Sequence, residues 1–205
     1  MKTAHSKYRV FLLSLVLVGQ PAYPDYGTGL YAYNHYDYQT ARKEFTLAAM
    51  DGHIEAQYYL GEIYEGGIGV PIAYEQAVEW FTQAARQEHA GAQARLAELY
   101  LKGWGVKQDV NTAFSWYLRS AENGYPLAQF ETGLMYANGQ GTPVNKMEAY
   151  RWLTIAASYG DPEAMDARNQ LADTMTPVEI SRAGHLAREW EFAREKHQGS
   201  LSLVK

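Results

Sequence analysis

Three Gly-x-Gly pairs are the first residues of this sequence whose spacing suggests chemistry. The pairs are Gly67 and Gly69, Gly103 and Gly105, and Gly139 and Gly141. Glycines in such pairs hold phosphate groups when they follow a strand and precede Lys-Ser or Lys-Thr. No pair has that dipeptide after it or a strand-like segment before it, so the sequence favours turn glycines over a phosphate loop.

Two histidines at a regular spacing suggest a metal site. His53 and His89 are 36 residues apart, and Tyr125 and Asp161 continue the same spacing. Ligand nitrogens must lie about 2 Å from one metal ion, whereas neighbouring packed helices lie about 10 Å apart. The sequence contains neither His-Glu-x-x-His nor His-x-x-x-His. We therefore predict turn residues here, and no metal or cofactor.

Nucleophilic catalysis has little support in the sequence. The chain has no cysteine, which excludes a cysteine nucleophile and a thiolate metal site. Ser115, Ser120 and Ser158 stand in helical segments without the Gly-x-Ser-x-Gly pattern of a nucleophile elbow. We predict that the protein is not an enzyme and keep a hydrolase as the most distant alternative.

The charge of the chain argues against nucleic acid as a partner. The net charge is −5. Removal of residues 1–22 takes away three basic residues and no acidic residue, which leaves 15 basic residues against 23 acidic ones. A body with this excess of negative charge repels phosphate backbones and anionic lipid.

Residues 1–22 are typical of a secretory signal peptide. Lys2, Lys7 and Arg9 precede an apolar run from Val10 to Gly19. Ten helical residues rise about 15 Å, half of a hydrocarbon core of about 30 Å. The pattern predicts export, a periplasmic or secreted location, and membrane contact only through this segment. An uncleaved anchor and a buried first helix are the alternatives.

An internal repeat organises the rest of the chain. The segment AQYYLGEIYEGGIGV at 56–70 recurs as AQARLAELYLKGWGV at 92–106 and as AQFETGLMYANGQGT at 128–142. The segments at 75–85, 111–121 and 147–157 match one another in the same way. Self-similarity at this period is typical of solenoids. The alignment predicts three repeats of 36 residues at 55–90, 91–126 and 127–162.

Each repeat has the pattern of a helix, a turn and a second helix. Ala56, Leu60, Ile63 and Tyr64 form one helical stripe, and the paired glycines allow the positive φ that ends a helix. Asp109 and Asn145 are candidate N-caps of the second helices, whereas Ala73 is a weaker cap. In the second helix of the first repeat, the sequence predicts five buried residues, namely Ala77, Trp80, Phe81, Ala84 and Ala85. We predict an all-α fold, an α-solenoid of stacked antiparallel helix-turn-helix repeats with a C-terminal capping helix.

The two ends depart from the repeat, as the caps of a solenoid do. We predict an atypical helical hairpin at 23–54, and a last half-repeat plus the capping helix at 163–197. A capping box at Thr176 and Glu179, with Pro177 between them, predicts where the capping helix begins. Residues 198–205 are expected to form a flexible tail.

These motifs resemble the Sel-one-like repeat family, a branch of the tetratricopeptide-like solenoids. The similarity lies in the 36-residue period, the Ala-Gln-x-x-Leu-Gly-x-x-Tyr helix, the Gly-x-Gly-Val turn and the Ala-x-x-Trp-x-x-x-Ala-Ala helix. This chain departs from the family pattern at Glu88, Ala97, Thr132 and Thr142. The resemblance implies a solenoid whose first helices line the concave side and a role as a protein-binding adaptor.

The positions of the first helices that differ between repeats are the candidate binding residues. These residues are Tyr58, Tyr59, Glu62, Glu65, Arg95, Glu98, Phe130, Glu131 and Leu134. The repeat pattern does not constrain them, so they are available for recognition. An acidic groove with aromatic side chains suits a basic or amphipathic peptide. We predict that the partner is another protein or peptide, including components of the cell envelope.

A tyrosine-rich stretch at 23–38 offers a second candidate surface. Its tyrosines are Tyr23, Tyr26, Tyr31, Tyr33, Tyr36 and Tyr38. One interpretation, which we favour, is that they pack within the first hairpin and cap it. The alternative is an aromatic platform for a sugar chain, which would make the protein a carbohydrate- or peptidoglycan-associated module.

Overall fold

The computed structural model describes residues 26–202, with side chains described as far as Lys196, so the predicted signal peptide lies outside the described residues. Within this range the chain forms ten α-helices and no strand. The helices are α1 Tyr26–Asn34, α2 Tyr38–Met50, α3 Ile54–Gly66, α4 Tyr74–Arg86, α5 Ala90–Lys102, α6 Val110–Glu122, α7 Pro126–Asn138, α8 Lys146–Ser158, α9 Pro162–Ala172 and α10 Pro177–Ser202. This architecture confirms the predicted all-α class.

Consecutive helices from α1 to α9 pack against one another along the chain, and α10 packs against α8, which confirms the predicted solenoid of helical hairpins. We call α3, α5, α7 and α9 the first helices, and α4, α6 and α8 the second helices. The first helices α3 and α5 contact each other directly, as do α7 and α9, and no two second helices contact to the same extent. We call the solvent-facing side of the first helices the inner face.

The paired glycines end the first helices and let successive repeats approach closely. Gly67, Gly103 and Gly139 are the C-caps of α3, α5 and α7, with φ between 64° and 72°. This left-handed region favours glycine, which has no Cβ atom. The second glycine of a pair meets the preceding repeat: a Cβ atom on Gly105 would lie 2.4 Å from the carbonyl carbon of Tyr74.

Side-chain caps begin most of the repeat helices. Asp109 caps α6 and Asn145 caps α8, as predicted, whereas Ala73 makes no side-chain cap. The structure gives the two histidines a role that the sequence analysis missed. The Nδ1 atoms of His53 and His89 accept hydrogen bonds from the N–H groups three residues later, at 3.3 Å and 2.9 Å, and so cap α3 and α5.

Alanines and large aromatic side chains alternate in the core. Ala77, Phe81, Ala84 and Ala85 of α4 are fully buried, as predicted. Trp80, which was also expected to be buried, is only partly buried. At the equivalent positions, Trp116 is partly buried and packs against the cores of two neighbouring repeats, whereas Trp152 is 1% exposed.

The burial of Trp152 is due to α10. A capping box between Thr176 and Glu179 begins this helix, as predicted. Ala183 and Ala187 are fully buried against α8, and the ring of Trp190 meets that of Trp152 edge-on with centroids 5.7 Å apart. The helix continues to Ser202, beyond the predicted end near 197. None of the described helices combines the length and the apolar character needed to cross a bilayer.

Candidate functional site

Four charged side chains connect α3 to α5 on the inner face. Arg95 of α5 reaches the Oε2 atom of Glu65 on α3 with Nη2 at 2.6 Å and Nε at 3.0 Å. Its Nη1 atom donates to Glu98 at 2.9 Å, and Lys102 donates to the other oxygen of Glu98 at 2.5 Å. We call Glu65, Arg95, Glu98 and Lys102 the charge network.

This network corrects two expectations. Glu65 is 8% exposed, so it is not a charge on the rim of a groove. Burial raises the pKa of its carboxyl group and the Arg95 guanidinium opposes that rise. The guanidinium of Arg95 is engaged within the chain, because it neutralises the buried carboxylate of Glu65 on α3. Both residues stabilise the contact between repeats.

The aromatic candidates of α3 are also engaged within the chain. The Tyr58 hydroxyl donates to Oε1 of Glu62 at 2.7 Å, and its ring stacks on His89 with centroids 4.5 Å apart. Tyr59 stacks on Phe45 of α2 with centroids 5.1 Å apart. The aromatic side chains of α3 are therefore occupied by contacts with other residues of this chain.

The inner face of α7 differs. Glu131 is partly buried, and it forms no salt bridge or hydrogen bond with any residue in the described part of the chain. Burial is the main cause that raises the pKa of its carboxyl group, and the Glu98 carboxylate is the second. Leu127 and Leu134 lie on the same side of α7, and Leu127 is 54% exposed. Phe130, by contrast, packs against the buried alanines between α8 and α9.

Polar atoms without partners are concentrated in the third repeat. Among the described side chains, five buried polar atoms have no hydrogen-bond partner, and all five belong to α7 and α8. They are Gln129 Oε1, Thr132 Oγ1, Arg151 Nε, Trp152 Nε1 and Thr154 Oγ1. Buried polar atoms are nearly always paired in folded proteins, so a local group of exceptions requires a reason.

One of these exceptions has an identifiable cause. Gln57, Gln93 and Gln129 each donate to a carbonyl group eight residues earlier. The side-chain oxygen of Gln57 accepts from Gln87, and that of Gln93 accepts from Asn123. Tyr159 stands at the corresponding position of the third repeat and is 54% exposed. It supplies no donor, so the Gln129 oxygen lacks a partner. The substitution is visible in the sequence, but its consequence is not.

Some tyrosines of the stretch at 23–38 pack inside the first hairpin, and others are exposed to solvent. Tyr26 stacks on His53 with centroids 4.3 Å apart, and Tyr33 packs against Tyr38 and Tyr59. Two other tyrosines, Tyr31 and Tyr36, are 67% and 80% exposed, and Tyr23 lies outside the described residues. These contacts favour the packing interpretation over a continuous aromatic platform.

The repeats of this chain match a known family of repeat proteins. The Sel1 repeat model matches residues 54–89, 90–125 and 126–161, each one residue before the boundary placed from the sequence. A Sel1 repeat protein from Oxalobacter formigenes has a similar structure, with a TM-score of 0.63 and 33% identity over 70% of this chain and 44% of that one. A protective antigen of uropathogenic Escherichia coli strains, which displays an SLR fold, matches with a TM-score of 0.49 and 24% identity over 80% of this chain and 44% of its own. The chain thus spans less than half of the length of either solved protein, and no curated protein matches it.

Proposed function

The chain belongs to the Sel1 repeat family, as its sequence motifs indicated, and from this we propose that it is an exported adaptor that holds a segment of another protein on its inner face. Sel1 repeats form a non-catalytic scaffold fold that typically mediates protein–protein interaction. In this proposal the protein has no catalytic activity of its own and contributes a shaped surface.

The inner face of α7 is the observation that carries the proposal. It exposes Leu127 and presents the unpaired carboxylate of Glu131 beside it. The inner face between α3 and α5 is occupied by the charge network. A few partly enclosed side chains supply most of the binding energy at protein interfaces. In α7, Leu127 and Glu131 are available for such contacts, whereas most candidate side chains of α3 and α5 are already paired within the chain.

Photocrosslinking from the inner face and from the second helices tests where the partner binds. Benzoylphenylalanine at Leu127 should crosslink to one partner protein, and the same residue at the exposed outer position Glu79 should not. The purified partner should then lose affinity for Leu127→Arg but not for Glu79→Arg. Crosslinks at Glu79, or only at Tyr31 and Tyr36, would move the binding surface away from the first helices.

Export rests on residues 1–22 and needs a separate test. Arginine at Leu13 and Leu15 places charge in the apolar run, which costs about 2.5–3.5 kcal/mol per residue on insertion scales. We expect both arginines together to keep the protein in the cytoplasm, as measured by cell fractionation, whereas alanine at both positions is the uncharged control. An arginine variant that still reaches the envelope would remove the signal peptide from the proposal.

A further inference from the structure

We propose that the inner face recognises a cationic segment of its partner, with an arginine or lysine side chain pairing with Glu131 between Leu127 and Leu134. This inference rests on the proposed function and deepens it, because it states the chemistry of the segment that is bound. It concerns α7 alone among the first helices.

The three residues form a continuous stripe on the helix. Leu127, Glu131 and Leu134 are spaced i, i+4 and i+7 in α7, and side chains at this spacing lie on one face. Leu127 is 54% exposed, and Glu131 and Leu134 are partly buried. The stripe therefore presents one carboxylate between two apolar side chains and is open to solvent at Leu127.

Comparison with the preceding repeat shows that the missing group is a cation. Arg95 stands in α5 where Glu131 stands in α7, and it pairs with Glu65 of α3, the preceding first helix. In α5, the first helix that precedes α7, the position equivalent to Glu65 is Leu101, which offers Glu131 no charge. The charged group that acts on the Glu131 carboxylate is Glu98, which has the same sign and is already paired with Arg95 and Lys102.

The environment of Glu131 makes an incoming cation more favourable than it would be on an open surface. Partial burial removes water from the carboxylate, and an ion pair is stronger where water is partly excluded. Arginine and lysine carry long apolar stems, which fit against Leu127 and Leu134 while the head group reaches Glu131. The unpaired carboxylate of Glu131 repels an acidic segment.

A library of displayed dodecapeptides, selected on the full chain, tests the chemistry directly. We expect the selected peptides to share an arginine or lysine beside an apolar residue. Such peptides should bind Glu131→Gln about tenfold more weakly or worse, which is the loss expected when one partner of a partly buried charge pair is removed. Glu79→Gln, at an exposed position of a second helix, is the matched control and should bind as the wild type does.

A second change, in the peptide, separates the charge pair from other effects. Citrulline has nearly the shape of arginine without its charge. Replacement of the selected arginine by citrulline should weaken binding to the wild type and abolish the difference between the wild type and Glu131→Gln, as a double-mutant cycle requires. Thermal unfolding of Glu131→Gln should show an intact fold, because the change removes a partly buried, unpaired charge.

The outcomes distinguish this inference from the proposed function. Peptides without a shared cation, or peptides that bind Glu131→Gln as well as the wild type, overturn the inference. If such peptides still lose affinity for Leu127→Arg, the inner face binds protein segments and the proposed function stands. Peptides insensitive to both changes, or a selection that yields none, overturn both.

Discussion

The second and third repeats share one backbone pattern and differ in how their polar groups are paired. In the second repeat, Arg95 neutralises Glu65, and the oxygen of Gln93 accepts a hydrogen bond from Asn123. In the third repeat, Glu131 and Gln129 occupy the positions of Arg95 and Gln93, and the Glu131 carboxylate and the Gln129 side-chain oxygen lack partners among the described residues.

This difference suggests a division of roles, in which the second repeat contributes stability and the third contributes binding groups. The two repeats share part of their hydrophobic frame, since Ala92 and Ala113 of the second repeat and their equivalents Ala128 and Ala149 of the third are all fully buried. Proteins tolerate unpaired polar groups at functional sites, where stability is lowered in exchange for binding. If the third repeat is the functional one, changes to its unpaired groups should affect binding more than stability.

The first prediction compares equivalent tryptophans. Trp152→Ala should lower the free energy of unfolding by about 3–5 kcal/mol, the usual range for a fully buried aromatic side chain. Trp116→Ala should cost clearly less, because its ring is only partly buried. Denaturant titrations of both variants measure the difference. Equal costs would mean that α10 contributes no extra burial to the third repeat.

The second prediction breaks the charge network. Arg95→Ala leaves the buried Glu65 carboxylate without its partner, and we expect a cost of about 1–3 kcal/mol in the free energy of unfolding. Lys102→Ala, the control, removes an exposed pair and should cost less than about 0.5 kcal/mol. Methionine at both Glu65 and Arg95 should restore most of the loss. A variant Arg95→Ala with unchanged stability would instead leave Arg95 available as a binding residue.

The third prediction restores a leucine to the third repeat. Thr132 stands where Leu60 and Leu96 stand in the other repeats, and its buried hydroxyl has no described partner. Thr132→Leu should raise the free energy of unfolding by about 1–2 kcal/mol, because it adds buried apolar surface and removes an unpaired polar group. The reverse change, Leu96→Thr, should be destabilising. A loss of stability in Thr132→Leu would show that the site has no room for leucine.

The fourth prediction supplies the donor that Gln129 lacks. Tyr159→Asn places an amide where Asn123 serves Gln93, and we expect a gain of about 0.5–1.5 kcal/mol from one hydrogen bond. Tyr159→Ala removes the ring without adding a donor, and it should give no such gain. Thermal unfolding of the two variants side by side checks the prediction, and equal melting temperatures would contradict it.

The smallest expected effect is the pH dependence due to Glu131. Its raised pKa means that the folded state binds this proton more tightly than the unfolded state, so stability falls as pH rises between the two pKa values. The charged group that acts on it is Glu98 of α5, and the Glu131 carboxylate in turn helps to raise the pKa of the Tyr117 hydroxyl of α6, which stays neutral in this pH range. Glu131→Gln should remove this contribution to the change of the unfolding free energy with pH. Near pH 7 the variant should be as stable as the wild type, or more stable by less than about 1 kcal/mol. Unfolding free energies from about pH 4 to about pH 8 measure it. A variant that is less stable at neutral pH would assign Glu131 a structural role.

Much of the fold could be predicted because its signals are local. The period of the repeat, the glycines that end the first helices and the caps at Asp109 and Asn145 depend on residues close in sequence. The same local patterns could not predict that His53 and His89 are caps, since histidine is an uncommon residue at that position. They also could not tell that α10 would bury Trp152 while Trp116 stays partly exposed.

The candidate site was predicted as a face of the first helices, but not as the distribution of charge on it. Arg95 and Glu65 are 30 residues apart, and sequence reasoning placed both on an open groove. Only the stacking of α5 on α3 shows that they neutralise each other. In the next pair of first helices, Glu131 and Leu101 stand at the positions of Arg95 and Glu65, and Glu131 has no ion-pair partner among the described residues.

The solenoid of helical hairpins follows from the sequence alone, because hydrophobic periodicity, helix caps and turn glycines act over a few residues. The tertiary structure decided which side chains of neighbouring repeats meet, and therefore which charges are paired, which are buried and which are free. Those properties depend on contacts between residues about one repeat apart, where small changes in helix packing decide whether two side chains meet.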